Sequence, residues 1–401
     1  MSVADMTLQL PARLKTPLKL DPVLIAICLT LLLGGLVVLA SASVAVSDNE
    51  AGNPLFYVQR QLVAVLIGLA AGGFCLFVPM GAWRAMGPLA LFVGLLMLFL
   101  VLVPGIGQEV NGARRWIRLG VMNVQVSEPA RLCFIVYLAG YLVRQAKSVR
   151  DTFWGFLRPM FVLSVACAAL LAEPDFGAAV VLLATALAML FVAGARFRDF
   201  FVFASLTVVA MASLAVASPY RVRRLTAFLD PWADPFNDGF QLTQSLIAIG
   251  RGEWLGVGLG SGVQKLSYLP EAHTDFVFAV FAEEFGLLGS VLAVAVFLAL
   301  LWRVYGIARR AVDAERFFEA YLAVGIGTWL GLQAFINLGV NMGLLPTKGL
   351  TLPLVSYGRS SMIVTLIALA LLFRIHHELV VDATPVNRPR AAKKKPRRRR
   401  S

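Results

Sequence analysis

Asp275 is the residue whose type and setting point most directly to chemistry. It stands in Tyr268-Leu-Pro-Glu-Ala-His-Thr-Asp-Phe-Val-Phe278, just ahead of a strongly apolar run. A helix is expected from about 275, which puts this carboxylate in a first turn. The helix dipole there favours the ionised form, while partial desolvation opposes it. A carboxylate balanced in this way can act as a base near neutral pH. The plainer reading is an ordinary N-terminal helix acid, with Thr274 or Asp275 as cap, and the residues alone leave both open. Glu283 and Glu284 follow on the same expected helix. Asp275 and Glu283 share a face at helical spacing, whereas Glu284 is rotated away by about 100°. Acids inside a span are costly and normally face the protein interior. Each therefore also reads as the partner of a buried arginine or polar neighbour.

Basic residues supply the complementary chemistry. Asn111-Gly-Ala-Arg-Arg-Trp-Ile-Arg-Leu-Gly120 brings Arg114, Arg115 and Arg118 close to Val124-Gln-Val-Ser-Glu128. Ser127 is expected to cap a helix there, with Pro129 in its first turn. A helix start beside three arginines suits an anion. Arg221, Arg223 and Arg224 form a second group, to which Lys265, Lys348 and Arg359 add. The stretch from Asn341 to Ser361, which includes Ser356, has the Gly, Pro and Ser content of a tight loop ending in a Gly-Arg-Ser-Ser helix start. Other chemistries find no support. No GxxxxGK is present, and the glycine-rich Gly256–Gly262 lacks strand–helix context, so no nucleotide is expected. His273, His376 and His377 lack partners at metal-ligand spacing. Cys28, Cys75, Cys133 and Cys167 all lie in apolar runs, where they serve as small hydrophobes. An enzyme built from this set needs a substrate that carries its own leaving group.

The elements that must position these groups are membrane helices. Hydrophobic residues make up 59% of the 401-residue chain, charged residues 15%, and mean hydropathy is +0.78. A soluble domain carries roughly 25% charged residues, and many runs here exceed the roughly 18–20 residues that cross a hydrocarbon core. The expected fold class is all-α, a polytopic membrane protein with about ten transmembrane helices. They are placed near 22–44, 56–78, 82–104, 129–144, 157–172, 177–194, 199–218, 275–302, 317–341 and 359–377. The expected division is a cytoplasmic N-terminal segment 1–21, one integral domain 22–377, and a cytoplasmic basic tail 378–401. The first apolar run lacks a small-residue cleavage pattern and is not read as a removable signal. With both termini cytoplasmic, Arg13, Lys15, Lys19, Arg84, Arg144, Lys147, Arg150, Arg158, Arg303, Arg309, Arg310 and Arg316 all fall inside, the positive-inside pattern. The arginine groups around 114 and 221, with Lys265, Lys348 and Arg359, then lie outside, against the bias. An anionic ligand explains that; so would outer acids or lipid head groups. The outer loop 219–274, between helices 7 and 8, is long enough to be functional. Its middle, 241–250, has helical periodicity and is expected to lie in or dip into the membrane interface. The tail AAKKKPRRRRS is expected to be disordered and to associate with anionic lipid rather than nucleic acid.

Five stretches resemble the SEDS family (shape, elongation, division and sporulation), and in particular its division-type branch. They are NGARRWIRLG (111–120), VSEPARL (126–132), PYRVRRLTAFLDPWADP with GFQLTQSLIAIG (219–250), LPEAHTDFVFAVFAEEFG (269–286) and MGLLPTKGLTLPLVSYG (342–358). The resemblance runs from the first helix to the tenth. It implies a peptidoglycan glycosyltransferase that polymerises lipid II on the outer face of the inner membrane during septal wall synthesis. Transfer would be inverting, from a donor on undecaprenyl diphosphate to an acceptor 4-hydroxyl. Asp275 matches the family's essential aspartate and would be the general base. Arg221, Arg223, Lys265 and Lys348, with Arg114 and Arg115 behind them, would meet diphosphate, and Ser356 and Glu283 would be further substrate contacts. A divalent cation, Mg or Mn, is the one cofactor the resemblance leaves room for. Its implied partners are a class B penicillin-binding protein and other divisome membrane proteins; its implied location is the inner membrane, enriched at the septum. Two positions depart from the family pattern: Val126 replaces a usual Pro, and Arg359 the second Gly of SYGGSS. The competing readings are a lipid II flippase, which Glu283, Glu284 and Asn337 would suit, and a non-catalytic division scaffold.

Overall fold

The computed structural model describes residues 18–383 except 111, 121, 217, 218, 238 and 267; the side chains of a few more, Arg221 and Arg224 among them, are also outside the description. The expected segment 1–21 and tail 378–401 therefore fall largely outside the described residues. Helix α1 (Pro22–Ala51) starts where the Asp21 carboxylate accepts from the amides of Val23 and Leu24, with Pro22 in the first turn. There follow α2 (Phe56–Phe77), the short α3 (Met80–Ala85) and α4 (Gly87–Leu102). Beyond a sheet come α5 (Ser127–Arg144), α6 (Ala146–Asp151), α7 (Phe153–Ala172), α8 (Phe176–Val192) and α9 (Phe197–Val216). The chain ends with α10 (Pro219–Leu229), α11 (Phe240–Arg251), α12 (Val277–Asp313), α13 (Phe317–Asn341) and α14 (Arg359–Ala383). Each of the ten expected stretches is largely helical among the described residues. Among the described residues, six helices are long and apolar enough to cross a membrane on their own: α1, α2, α7, α12, α13 and α14.

The core lies where α5, α8, α13 and α14 meet, with Trp329 of α13 fully buried. Outer helices turn large apolar side chains away from it, among them Leu33, Leu66, Phe74, Phe92 and Phe201. That inside-out distribution suits a protein whose solvent is lipid. Close helix contact is made through small residues. A Cβ on Gly68 of α2 would stand 2.6 Å from Leu366, and one on Gly72 3.2 Å from Ala370, both on α14.

Three local features differ from expectation. Residues 107–125 form a three-stranded antiparallel meander of β1 (Gly107–Val110), β2 (Ala113–Leu119) and β3 (Met122–Gln125). Ser127 does not cap α5; it lies inside the helix, and its hydroxyl accepts from Gln125 Nε2 at 3.2 Å. The stretch read as a helix from 275 starts at Val277 and is broken at Gly286, where φ is 67° and ψ −164°. A Cβ there would stand 2.3 Å from the amide of Gly256. The loop after α11 thus presses into the break and repairs it. Its Val257 and Gly258 amides donate to the carbonyls of Glu283 and Glu284, and Glu253 and Trp254 carbonyls accept from Leu287 and Leu288. Broken helices survive at membrane depth when protein re-satisfies the freed groups in this way.

The first and last described residues lie at one end of the bundle. The Lys19 amide donates to His377, and Asp21 accepts from Arg303 at 2.7 Å. Asp275 lies at the opposite end.

Candidate functional site

Asp275 is held by its backbone. Its carbonyl accepts from Asn337 Nδ2 and Asn341 Nδ2, each at 2.9 Å. These amides stand one turn apart at the end of α13, so they share a face. Asn337 also donates to the Leu350 carbonyl at 2.6 Å, and Asn341 Oδ1 accepts from the Ala279 amide at 3.0 Å. One helix end therefore fixes both the start of α12 and the returning loop 342–358. The half-buried Asp275 carboxylate lies against Gly349, where an added Cβ would stand 2.8 Å from Oδ2. The side chain before it, Lys348, places its Nζ 4.2 Å from the centroid of the Phe176 ring.

A chain of buried polar contacts supports this arrangement. Arg131 of α5 donates to Glu128 and to Gln333, at 3.3 and 3.0 Å. Gln333 also accepts from the Trp329 indole at 2.7 Å and donates to the Thr351 carbonyl at 2.9 Å, and Thr351 bonds Ser361 of α14 at 3.1 Å. Four elements are thereby locked in register behind the carboxylate. On the other flank, the His273 ring lies 4.5 Å from that of Tyr57 and 5.7 Å from that of Tyr357. Burial lowers its pKa, so the imidazole stays neutral at pH 7. Tyr57 donates to Glu50.

The structure distributes the remaining expected site residues elsewhere. Glu283 does not face Asp275. It is fully buried, takes an ion pair from Arg251 at 3.2 Å, and accepts from the amides of Val263 and Gln264. Lys265 is also buried, bonded to Glu284 at 2.5 Å and to Ser41 of α1 at 2.6 Å. Both fasten the loop to the broken helix. Helical spacing misplaced Glu283 because Asp275 stands ahead of the helix, which begins only at Val277, so the two do not share one helical face. Ser356 is buried, and its hydroxyl accepts from the Leu352 amide at 2.8 Å, closing the returning loop upon itself. Arg114 is exposed and paired to Glu109 at 3.2 Å. Arg115 donates to the carbonyls of Glu173 and Pro174, at 3.0 and 2.6 Å. Arg223 is exposed on α10, which packs on α9, while the side chain of Arg221 lies outside the described residues. Of the expected group, Lys348 is the cation on the segment that touches Asp275.

Sequence reasoning took in Asn341 and Gly349 only as part of the loop stretch 341–361 and gave neither a role of its own. Asn341 lies one turn after Asn337, at a helix end bordering a glycine-rich loop, and that spacing was the available signal.

The FtsW/RodA/SpoVE family model, described as cell cycle protein, matches residues 22–380. The chain belongs to this family. A probable peptidoglycan glycosyltransferase FtsW from Thioalkalivibrio sulfidiphilus is 56% identical over 362 residues, covering 90% of each chain. One of the same name from Nitrosococcus halophilus is 56% identical over 344 residues, covering 86% of this chain and 89% of the relative. Among solved structures, a chain of a peptidoglycan synthase complex superposes with a TM-score of 0.75 at 31% identity, over 90% of this chain and 99% of that one. The rod shape determining protein RodA of Thermus thermophilus does so with 0.67 at 30% identity, over 90% and 98%.

Proposed function

We propose that this chain is a division-type peptidoglycan glycosyltransferase that polymerises lipid II, with Asp275 as the general base. The observation that carries the reading is the placement of the Asp275 carboxylate, pinned through its backbone by Asn337 and Asn341 and set against Gly349 beside Lys348. The acceptor 4-hydroxyl gives its proton to Asp275 as its oxygen attacks the donor's anomeric carbon. The bond from that carbon to the diphosphate breaks on the opposite face, the electron pair leaves with the diphosphate, and an α-linkage becomes β. Lys348 neutralises the charge that develops there. The end of the bundle carrying Asp275 faces outward and both termini are cytoplasmic, a reading that the basic residues near the termini support.

Among the described residues, no group of three or more His, Cys, Asp or Glu side chains is placed to hold a metal ion. Asp275 with its amide and lysine neighbours is a poor donor set for Mg or Mn, which want several oxygen ligands. The residues present do not fit a protein-held cation, so charge neutralisation is assigned to Lys348. Likeness to a chain of a peptidoglycan synthase complex supports a penicillin-binding protein as partner. Other divisome proteins and enrichment at the septum follow from the division-type reading.

A flippase would need mobile acids inside the bundle, yet Glu283 and Glu284 are already paired and Asn337 is bonded to two carbonyls. A polymerisation assay with purified protein, partner and lipid II distinguishes the readings. Asp275→Asn should lower the rate about 10²–10⁴-fold, the range of a lost general base, with lipid II binding retained. Polymerisation at the wild-type rate by that variant would refute the assignment.

A further inference from the structure

Between the meander and the starts of α2 and α14 lies an open cavity of about 210 Å³, lined by Arg60, Gln108, Arg118, Gly120, Asn123 and Arg359. Three guanidinium groups border it and no carboxylate does. Along β2, Ala113 is buried and Arg115 and Ile117 are half-buried, whereas Arg114 and Arg118 are exposed. Arg114 is neutralised by Glu109, but Arg118 stands across from Asn123 of β3 and borders the cavity. The β2–β3 turn is closed by Gly120 at φ 59°. Arg60, on the second turn of α2, rests over the Phe56 ring at 4.0 Å, which fixes its approach. Arg359 is the first residue of α14, so the partial positive charge of that helix start adds to its own. An anion entering the cavity therefore meets three like charges at once.

The cavity is joined to the Asp275 site by one short segment. Gly349 touches Asp275; Thr351, two residues on, bonds Ser361; and the neighbouring Ser360 bonds the Asn123 carbonyl and the Gln125 amide. A group held among the arginines therefore lies on the far side of the returning loop from the base.

We propose that this cavity is a second oxyanion site, which takes the diphosphate of a polyprenyl-linked headgroup. Two lipid-linked saccharides meet in the polymerase. The donor loses its diphosphate at the reacting carbon, beside Lys348. The acceptor reacts through its 4-hydroxyl and keeps its own diphosphate at the other end of the sugar unit, away from Asp275. The arginine cavity holds that retained diphosphate. The assignment to the acceptor rests on the polymerase reading; the oxyanion site does not.

The test uses the full-length protein in neutral phosphatidylcholine nanodiscs with farnesyl diphosphate, which has no sugar to transfer. Wild type should bind it, and Arg118→Gln and Arg359→Gly should each weaken binding about five- to tenfold, as expected for one partly exposed charge-assisted contact. Arg359→Gly installs the residue common in the family, so a folding defect is not expected to intervene. Wild-type affinity in both variants would overturn the site. Nanodiscs containing phosphatidylglycerol separate the two sources of lipid phosphate. If that lipid lowers wild-type affinity to the variant level, the site belongs to anionic phospholipid and the acceptor assignment is overturned. In polymerisation, the acceptor assignment requires Arg359→Gly to raise KM about five- to tenfold with kcat within about twofold, because a contact distant from the reacting atoms contributes equally to ground and transition states. An unchanged KM overturns it. Normal polymerisation by Asp275→Asn would instead count against the polymerase reading, and leaves the farnesyl diphosphate result standing.

Discussion

The two ends of the helical bundle differ in how completely their charges are paired. At the end bearing the described termini, carboxylates and guanidinium groups close upon each other. Asp21 pairs with Arg303 at 2.7 Å, Arg374 with Glu378 at 3.0 Å, and Arg316 reaches both Glu378 at 3.1 Å and Asp382 at 2.7 Å. Burial works against the Asp21 carboxylate, yet the Arg303 guanidinium and the Leu24 amide hold its pKa below the ordinary value. At the Asp275 end, three arginines border a cavity whose lining has no acid, and Lys348 lies over an aromatic ring. Mutual pairing turns charges into framework, whereas a cationic cavity is completed by something that arrives. By the same criterion Lys265 and Glu283, which sequence alone placed with the substrate, belong to the framework.

The strongest way to break the comparison is to remove a framework charge. Lys265→Ala leaves Glu284 buried without its cation, a change that typically costs about 3–5 kcal/mol. Thermal unfolding in detergent should therefore fall sharply for Lys265→Ala and for Arg374→Ala. The double variant Lys265→Met with Glu284→Gln should recover most of the loss. Arg118→Gln, at an exposed site, should lie within about 0.5 kcal/mol of wild type, and Arg359→Gly, at a half-buried helix start, within about 1 kcal/mol. If the cavity arginines prove as costly to remove as Lys265, the distinction between framework and site fails.

A smaller effect is expected at Gly349, where geometry rather than charge is altered. The added methyl of Gly349→Ala meets the Asp275 carboxylate at 2.8 Å and must displace it. A displacement approaching 1 Å at a reacting group costs up to about 10²-fold, so polymerisation should drop about 10–100-fold. Unfolding temperature should change little, because Gly349 is exposed. Full activity in this variant would show that the carboxylate tolerates movement, which a positioned base does not.

Much of this was legible in the chain. The ten helical stretches could be read because lipid imposes a length and polarity rule with few exceptions. Asp275 was singled out because an acid ahead of Phe-Val-Phe-Ala-Val-Phe is conspicuous and because the position matches the essential aspartate of the family it resembles. What escaped was whatever depends on two distant segments meeting. The break at Gly286 exists because loop 252–258 fills it, and nothing local in Glu-Glu-Phe-Gly reveals that partner. Asn341 is an ordinary polar residue at a helix end until Asp275 and Ala279 are brought against it. Arg114 and Arg118 were equivalent in sequence. Only the strand register separates the one paired to Glu109 from the one that borders the cavity.

Glu173 tests the comparison from a third side, being buried yet without an ion pair. It follows α7, is fully buried, and neither carboxylate oxygen has a hydrogen-bond partner among the described residues. Arg115 lies close but donates to the main-chain carbonyls of Glu173 and Pro174. Burial first, and the neighbouring Asp175 second, push the Glu173 pKa up to about 8 against the pull of Arg115. Here charge is withdrawn rather than paired. The unfolded chain releases this proton near the ordinary value of 4.5, whereas the native protein keeps it until about pH 8. Between those values the native state binds more protons than the unfolded one, so stability falls as pH rises and levels off above about 8. Glu173→Gln is neutral throughout and removes that slope. Wild type should therefore lose a few degrees of unfolding temperature between pH 6 and pH 8.5 relative to the variant, with the two converging at low pH. Parallel curves would mean that Glu173 ionises normally in the folded protein, turning its carboxylate toward Arg115 and joining the framework.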